Sequence, residues 1–260
     1  MTKTTGKEVD MITNKRVAFI TGANRGIGLE TTRELGQKGI AVVLGARDYD
    51  NGQVAARELK RSGIDADALE FDVLKNEHHR SVYRYLEGRY GRLDILINNA
   101  GVGLEGSASE LGKTNTTSTT SIDLLRRTFD VNFFGVFALT QTLLPLIRRA
   151  PSGRIVNVSS ILGSLTLQAD PTSSAAGYKY FAYGASKTAI NAFTIYLADA
   201  LRNTRIKVNS AHPGWVKTEL GGEAADLELS EGGKTSAWLA TLPDDGPTGG
   251  YFHMGEALPW

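Results

Sequence analysis

The segment Arg16–Gly28, RVAFITGANRGIG, sets the reading of the whole chain. Arg16–Thr21 is a short apolar run, as expected of a strand buried on both faces. Glycines follow at 22, 26 and 28. Ile27–Lys38 then takes helical period and stops at Gly39, a helix-ending residue. A side chain at those glycines would obstruct the tight turn or hold the backbone off a pyrophosphate. The helix that opens there aims free N–H groups and its positive dipole end at the same place. The turn therefore predicts a dinucleotide site, with Gly22, Asn24, Arg25, Gly26, Ile27 and Gly28 around the phosphates.

The same alternation continues outward. Strands are expected at Ile40–Gly45, Ala68–Val73, Leu93–Ile97, Arg154–Val158 and Ile206–Ser210, with a last one at Gly250–Met254. Helices are expected at Val54–Ser62, Glu77–Arg89, Ile122–Arg149, Tyr183–Asn203 and Leu229–Leu239. Apolar strands alternating with helices over short links give an α/β fold: a single-domain, doubly wound parallel sheet with helices on both faces. Residues 15–260 form that domain, and residues 1–14, polar and without the apolar core of a signal peptide, read as a flexible tail. No uninterrupted run of about 18 apolar residues suggests a membrane span. Gly103–Ser121, rich in Gly, Ser and Thr, reads as a surface loop or as a flap beside a pocket.

Composition narrows the function. Lys and Arg total 29 against 28 Asp and Glu, so no basic excess favours nucleic acid. Cysteine is absent, which excludes thiol nucleophiles and Cys-based metal sites and fits a cytoplasmic protein. Glycine reaches 29 of 260 residues, well above the average of about 7%, in keeping with tight turns and close ligand approach.

The end of the second strand selects the nucleotide. An acid there would accept from ribose hydroxyls. This chain has Ala46-Arg47 instead, and a guanidinium can fork onto a 2′-phosphate, with Arg25 approaching from the loop. NADP(H) is the expected cofactor. Asp48 is expected to cap the next helix or its turn. Gly232-Gly233-Lys234-Thr235 imitates the end of a triphosphate-binding loop, but position 228 is Glu and no strand precedes it.

The reacting groups lie at the strand ends. Tyr183 and Lys187, four apart in YGASK, share a helix face. An ammonium there lowers the pKa of a phenol and makes a usable proton donor. Ser159 and Ser160 end the fifth strand, where a hydroxyl can hold a carbonyl oxygen; Ser159 reads better as packing. Asn132 sits in an apolar helix (FDVNFFGVF) and needs a partner. Asn99, Ala100 and Gly101 close the fourth strand with room for a cofactor. His78 and His79 read as solvated, His212 as a loop contact, Trp215 and Phe181 as pocket or packing residues, and Trp238 as core.

Together TGANRGIG, Asp72-Val73, NNAG, Asn132, Ser160, YGASK and the run His212–Thr218 (HPGWVKT) resemble, in order, the short-chain dehydrogenase/reductase family, and most of all its carbonyl reductase branch. The resemblance implies a Rossmann-type domain and NADPH-dependent reduction of a ketone or aldehyde. It implies a catalytic set of Tyr183 as acid–base, Lys187 as its tuner and ribose anchor, Ser160 polarising the carbonyl, and Asn132 holding a relay water. Asp72 and Val73 then match adenine contacts, and Pro213, Gly214, Val216 and Thr218 the nicotinamide side. A nucleotide sensor without turnover, or a lyase or epimerase on the same scaffold, are the alternatives. The spacing from Ser160 to Tyr183, 23 positions, exceeds that of ordinary members and falls short of typical carbonyl reductases; the extra segment is roughly Gln168–Phe181, and its Tyr178, Tyr180 and Phe181 either bury the helix face or form part of the pocket. In most of the family the helices matching Ile122–Arg149 and Tyr183–Asn203 pair with their copies, whereas a long insertion covers that face and gives monomers. The expectation leans to a homo-oligomer, either dimer or tetramer.

Overall fold

The structure is a computed structural model and describes residues 15–106 and 115–260. The residues expected to form the tail, and the middle of the Gly103–Ser121 loop, lie outside them. Eight strands form one sheet in the order β3-β2-β1-β4-β5-β6-β7-β8. They are β1 (Val17–Thr21), β2 (Ala41–Ala46), β3 (Ala66–Glu70), β4 (Ile95–Asn98), β5 (Arg154–Val158), β6 (Lys207–Ala211), β7 (Tyr251–His253) and β8 (Glu256–Ala257). All neighbours pair in parallel except β8, a two-residue antiparallel edge that the sequence reading lacks. The doubly wound α/β architecture is as expected. Strand order reverses between β1 and β4, the place where such sheets bind ligands beyond their carboxyl ends.

The strands form because their side chains have apolar partners on both faces: β1, β2, β4 and β5 are buried at every position. On one face Ile20, Leu44 and Ile97 pack with Leu35 and Leu59. Those two come from α1 (Gly26–Gln37) and α2 (Tyr49–Arg61). On the other, Phe19, Val43 and Leu96 pack with Leu86 of α3 (Asn76–Tyr90) and with Leu139 and Leu143 of α5 (Val136–Ile147).

Several boundaries move for local reasons. The second helix begins at Tyr49 rather than Val54, because the Asp48 side chain accepts from Asn51 N at 2.9 Å and caps it. β3 starts earlier than expected and ends at Glu70, leaving Asp72 and Val73 in the following loop. There His78 Nδ1 accepts from Asp72 N at 3.0 Å, and His79, buried and stacked on Phe71, bonds the Val73 carbonyl through Nε2. The solvated reading of this pair is therefore wrong for His79, whose imidazole replaces solvent with a backbone partner. The stretch expected at Leu229–Leu239 divides into a 3₁₀ turn, Leu229–Glu231, and α8 (Lys234–Ala240), with Gly232 and Gly233 between.

The long helix is interrupted. α4 (Ile122–Phe129) runs into a π-helical turn, Asp130–Gly135, before α5 begins. Among the described residues Ile122–Ile147 is also the one helical stretch long and apolar enough to cross a membrane by length and composition, a test that the core helix of a soluble protein passes too. Its buried positions are spent on the sheet: Leu139, Leu143, Leu146 and Ile147 belong to the core.

Candidate active site

The glycine turn and the Asn98–Gly101 segment are bolted together at the carboxyl edge of the sheet. Thr21 Oγ1 accepts from Asn99 N at 3.0 Å and from Ala100 N at 2.9 Å. Asn99 Nδ2 donates back to Thr21 O at 2.8 Å and to Gly22 O at 3.1 Å. Asn99 therefore shapes the loop with its side chain. Gly22 has φ +63°, a conformation that suits glycine, and a Cβ on Gly28 would lie 2.3 Å from Gly22 O. These positions leave a concave backbone at the start of a twelve-residue helix, a cradle fitted to an anion. Ala23 N donates to Gly45 O at 3.1 Å, so the end of β2 abuts the cradle. Ala46 there is buried and apolar, and Arg47 is exposed. Arg25 is also exposed and pairs with Glu219 at 2.6 Å.

Beyond β5, after the short α6 (Leu165–Ala169), α7 (Phe181–Ala200) carries Tyr183 and Lys187 to the same edge. Lys187 is buried, and its Nζ donates to Val158 O at 2.8 Å and lies 5.6 Å from the Tyr183 ring centroid. Ser160, just past β5, stands beside Tyr183 in the pocket wall, and its Oγ accepts from Leu162 N at 3.2 Å. Burial pushes Tyr183 up to about 12, with the neighbouring Ser160 hydroxyl opposing it, and pushes Lys187 down to about 8. Withdrawal from water shifts both groups towards their neutral forms.

Asn132 is placed by the π-helical turn, the type of helix defect common at functional sites. Its Oδ1 accepts from Val102 N at 2.8 Å. Its Nδ2 donates to Val102 O at 2.9 Å and to Ser186 Oγ at 3.0 Å. Ser186 Oγ in turn donates to Tyr183 O at 2.7 Å. A Cβ on Gly101 would lie 3.4 Å from both Asn132 Oδ1 and Lys187 Nζ, so the three segments meet there.

These groups open on a cavity of about 470 Å³ lined by Ser160 and Tyr183 and otherwise largely by apolar and aromatic side chains. Ile27, Pro213, Gly214, Val216 and Thr218 reach it from the cradle side. Trp215 and Tyr178 meet edge to face across its wall, 5.9 Å between ring centroids. Tyr178 and Tyr180 of the extra segment thus line the pocket, whereas Phe181 turns outward. Asp72 and Val73 follow the β3 edge, apart from the reacting groups.

The sequence reading missed several participants. Ser186, although it lies within YGASK, Val102 and the Val158 carbonyl were not singled out, since their part depends on distant partners. Tyr251 stacks on Trp260 beside the site, and burial together with the Tyr183 phenol pushes its hydroxyl up. His212 lines the pocket next to His253, and burial holds it down at about 3, so its ring is neutral.

The sequence profile of the short chain dehydrogenases matches residues 16–228. The chain belongs to that family. Within it the chain is carbonyl-reductase-like. It is 32% identical to carbonyl reductase [NADPH] 1 of Mus musculus, over 96% of this chain and 100% of the other. It is 31% identical to (+)-neomenthol dehydrogenase of Capsicum annuum, over 94% and 97%. The solved structure of salutaridine reductase from Papaver somniferum superposes with a TM-score of 0.78 at 28% identity, covering 92% of this chain and all of that one.

In this short-chain dehydrogenase the Lys187 ammonium is costly to bury. An amine displaced from 10.5 to about 8 represents about 3 kcal/mol, at about 1.4 kcal/mol per pH unit. The unfolded chain binds the proton more tightly, so stability rises with pH between 8 and 10.5 as the folded amine gives it up. Lys187→Met is expected to stabilise the nucleotide-free protein by about 1–3 kcal/mol at pH 7, after loss of the Val158 bond. The gain should shrink as pH rises from 8 towards 10.5, read by thermal denaturation across that range.

Proposed function

We propose that the protein reduces a ketone or aldehyde to an alcohol through Ser160, Tyr183, Lys187 and Asn132. It is an NADP(H)-dependent oxidoreductase. The observation that carries the proposal is the convergence of Ser160 and Tyr183 on one largely apolar pocket, with the Lys187 ammonium buried beside the Tyr183 ring and a backbone anion cradle at the same sheet edge.

In this reading the residues of the cradle, Gly22, Asn24, Arg25, Gly26, Ile27 and Gly28, hold the pyrophosphate. Arg47, with Arg25, takes the 2′-phosphate; Asp72 and Val73 flank the adenine. Asn99, Ala100 and Gly101 form the floor, and Pro213, Gly214, Val216 and Thr218 face the nicotinamide. Tyr183 and Lys187 also contact the ribose. When bound, NADPH supplies hydride to the carbonyl carbon. Ser160 holds the carbonyl oxygen by a hydrogen bond that strengthens as negative charge develops. A phenol pushed up to about 12 is protonated at neutral pH, so Tyr183 is ready to give its proton to that oxygen. Lys187 stabilises the phenolate left behind. The remaining lone pair of Asn132 Oδ1 can hold a water that resupplies the proton. The aromatic wall of Tyr178, Tyr180 and Trp215 selects a carbonyl flanked by apolar groups. A soluble, cytoplasmic enzyme is the setting we propose.

The assembly follows from an exposed apolar face. Phe134, Phe137, Ile195 and Tyr196 are 55%, 38%, 40% and 76% exposed on the π-helical turn, α5 and α7. With Tyr178 and Tyr180 committed to the pocket, these four side chains stay exposed in the described chain. A symmetric partner would bury it, giving a dimer or tetramer.

Three measurements test this reading. Tyr183→Phe should lower kcat in NADPH-driven ketone reduction by at least about 100-fold with NADPH binding nearly intact; retention of half the turnover would refute the role. NADPH should be preferred over NADH by at least about tenfold in kcat/KM, a preference erased by Arg47→Asp; equal use of both by the parent would contradict it. Light scattering at micromolar concentration should give a multiple of 28.0 kDa, and a monomer mass would contradict the paired helices.

A further inference from the structure

The first turn of α7 lacks the usual means of closing itself. Tyr180, at the capping position, does not cap the turn with its side chain, and the first turn contains no acid. Its three leading N–H groups still need acceptors. They find them in a loop far away in sequence. Phe181 N donates to Thr116 Oγ1 at 2.9 Å, Ala182 N to Glu105 Oε1 at 2.9 Å, and Tyr183 N to Glu105 Oε2 at 2.8 Å. The carboxylate is itself held, accepting from Thr116 Oγ1 at 2.5 Å and Thr120 Oγ1 at 3.1 Å. Thr116 N is fastened to Lys179 O at 3.1 Å, just ahead of the helix.

From this arrangement we infer that Glu105 is a positioning residue for the reaction: its carboxylate closes the start of α7 and sets where Tyr183 stands relative to Ser160. The inference rests on Tyr183 being the proton donor. The second turn of α7 has anchors of its own, since Ser186 is bonded to Asn132, Lys187 to Val158 O, and Thr188 Oγ1 donates to Gly163 O at 2.9 Å. Loss of Glu105 therefore frays only the first turn, and the reactive residue in that turn is Tyr183. The two carboxylate oxygens answer two N–H groups at once, with the positive end of the helix dipole favouring the charge. An amide in the same place can answer one and must turn its own N–H₂ towards the other.

Glu105→Ala should lower kcat by at least about tenfold, within the range that a displacement of about 1 Å costs, and Glu105→Gln should fall between Ala and the parent. NADPH affinity, read by fluorescence titration, should stay within about twofold of the parent, because the second turn and the cradle are untouched. The solvent deuterium isotope effect on kcat should increase as proton transfer becomes limiting, a change that mere loss of stability would not produce. The inference is overturned if both variants keep kcat within about twofold of the parent. It is equally overturned if kcat and NADPH affinity fall together with the melting temperature and the isotope effect does not change. Tyr183→Phe, assayed alongside, separates the two levels: a Tyr183→Phe enzyme that still turns over sinks the proton-donor reading and this inference with it. An inactive one beside unimpaired Glu105 variants sinks the inference alone.

Discussion

One ammonium group, buried against the carboxyl end of β5, is the constraint around which the site is organised. Lys187 Nζ has the Val158 carbonyl as its hydrogen-bond partner and the face of Tyr183 alongside. Removal from water is costly for a cation, and no carboxylate pairs with it among the described residues. Such a group persists only when the surrounding scaffold is rigid enough to hold it. Here the rigidity comes from β5 on one side and α7 on the other. Substitutions that relax either side would let water reach the amine and restore its ordinary acidity.

The sheet delivers the remaining parts because parallel strands end on the same edge. β1 presents the glycine cradle, β4 the Asn98–Gly101 segment, β5 Ser160, and β6 the run from His212. These ends are cross-linked rather than merely adjacent. Thr21 and Asn99 exchange two hydrogen bonds across the switch in strand order, and the Asn99–Gly22 and Ala100–Thr21 bonds add two more. Asn98 Nδ2 donates to Asn157 Oδ1 at 2.8 Å, tying β4 to β5 inside the core. Asn132 then ties the π-helical turn to α7 through Ser186. A displacement in one segment is thus transmitted to the others through short polar contacts instead of being absorbed in a loop.

Much of this was legible in the sequence, and the reasons are physical. Buried parallel strands need apolar residues at every position, so RVAFIT and LDILI announce themselves. The glycine turn and the Tyr183–Lys187 spacing are local, and local geometry is written in adjacent residues. The parts that escaped depend on partners distant in the chain. His79 looks like a surface residue in KNEHHR until the Val73 carbonyl accepts it. The π-helical turn leaves no mark in a run whose periodicity stays helical on both sides. Glu105 sits in a Gly/Ser/Thr-rich loop with no pattern of its own, and its partners lie 77 and 78 residues away. The extra segment before α7 was visible as a length anomaly, but whether its rings would cover a helix face or line a pocket depended on tertiary contacts with Trp215.

The central claim is that the Lys187 ammonium is held out of water by the folded scaffold, and titrating that amine in the intact protein tests it most directly. Nitrogen-15 NMR of lysine-labelled protein, with Lys187→Met used to assign the resonance, follows the group itself. The account predicts a midpoint near 8. A midpoint at the ordinary lysine value of 10.5 would mean that the amine is solvated and that the site is organised around something else.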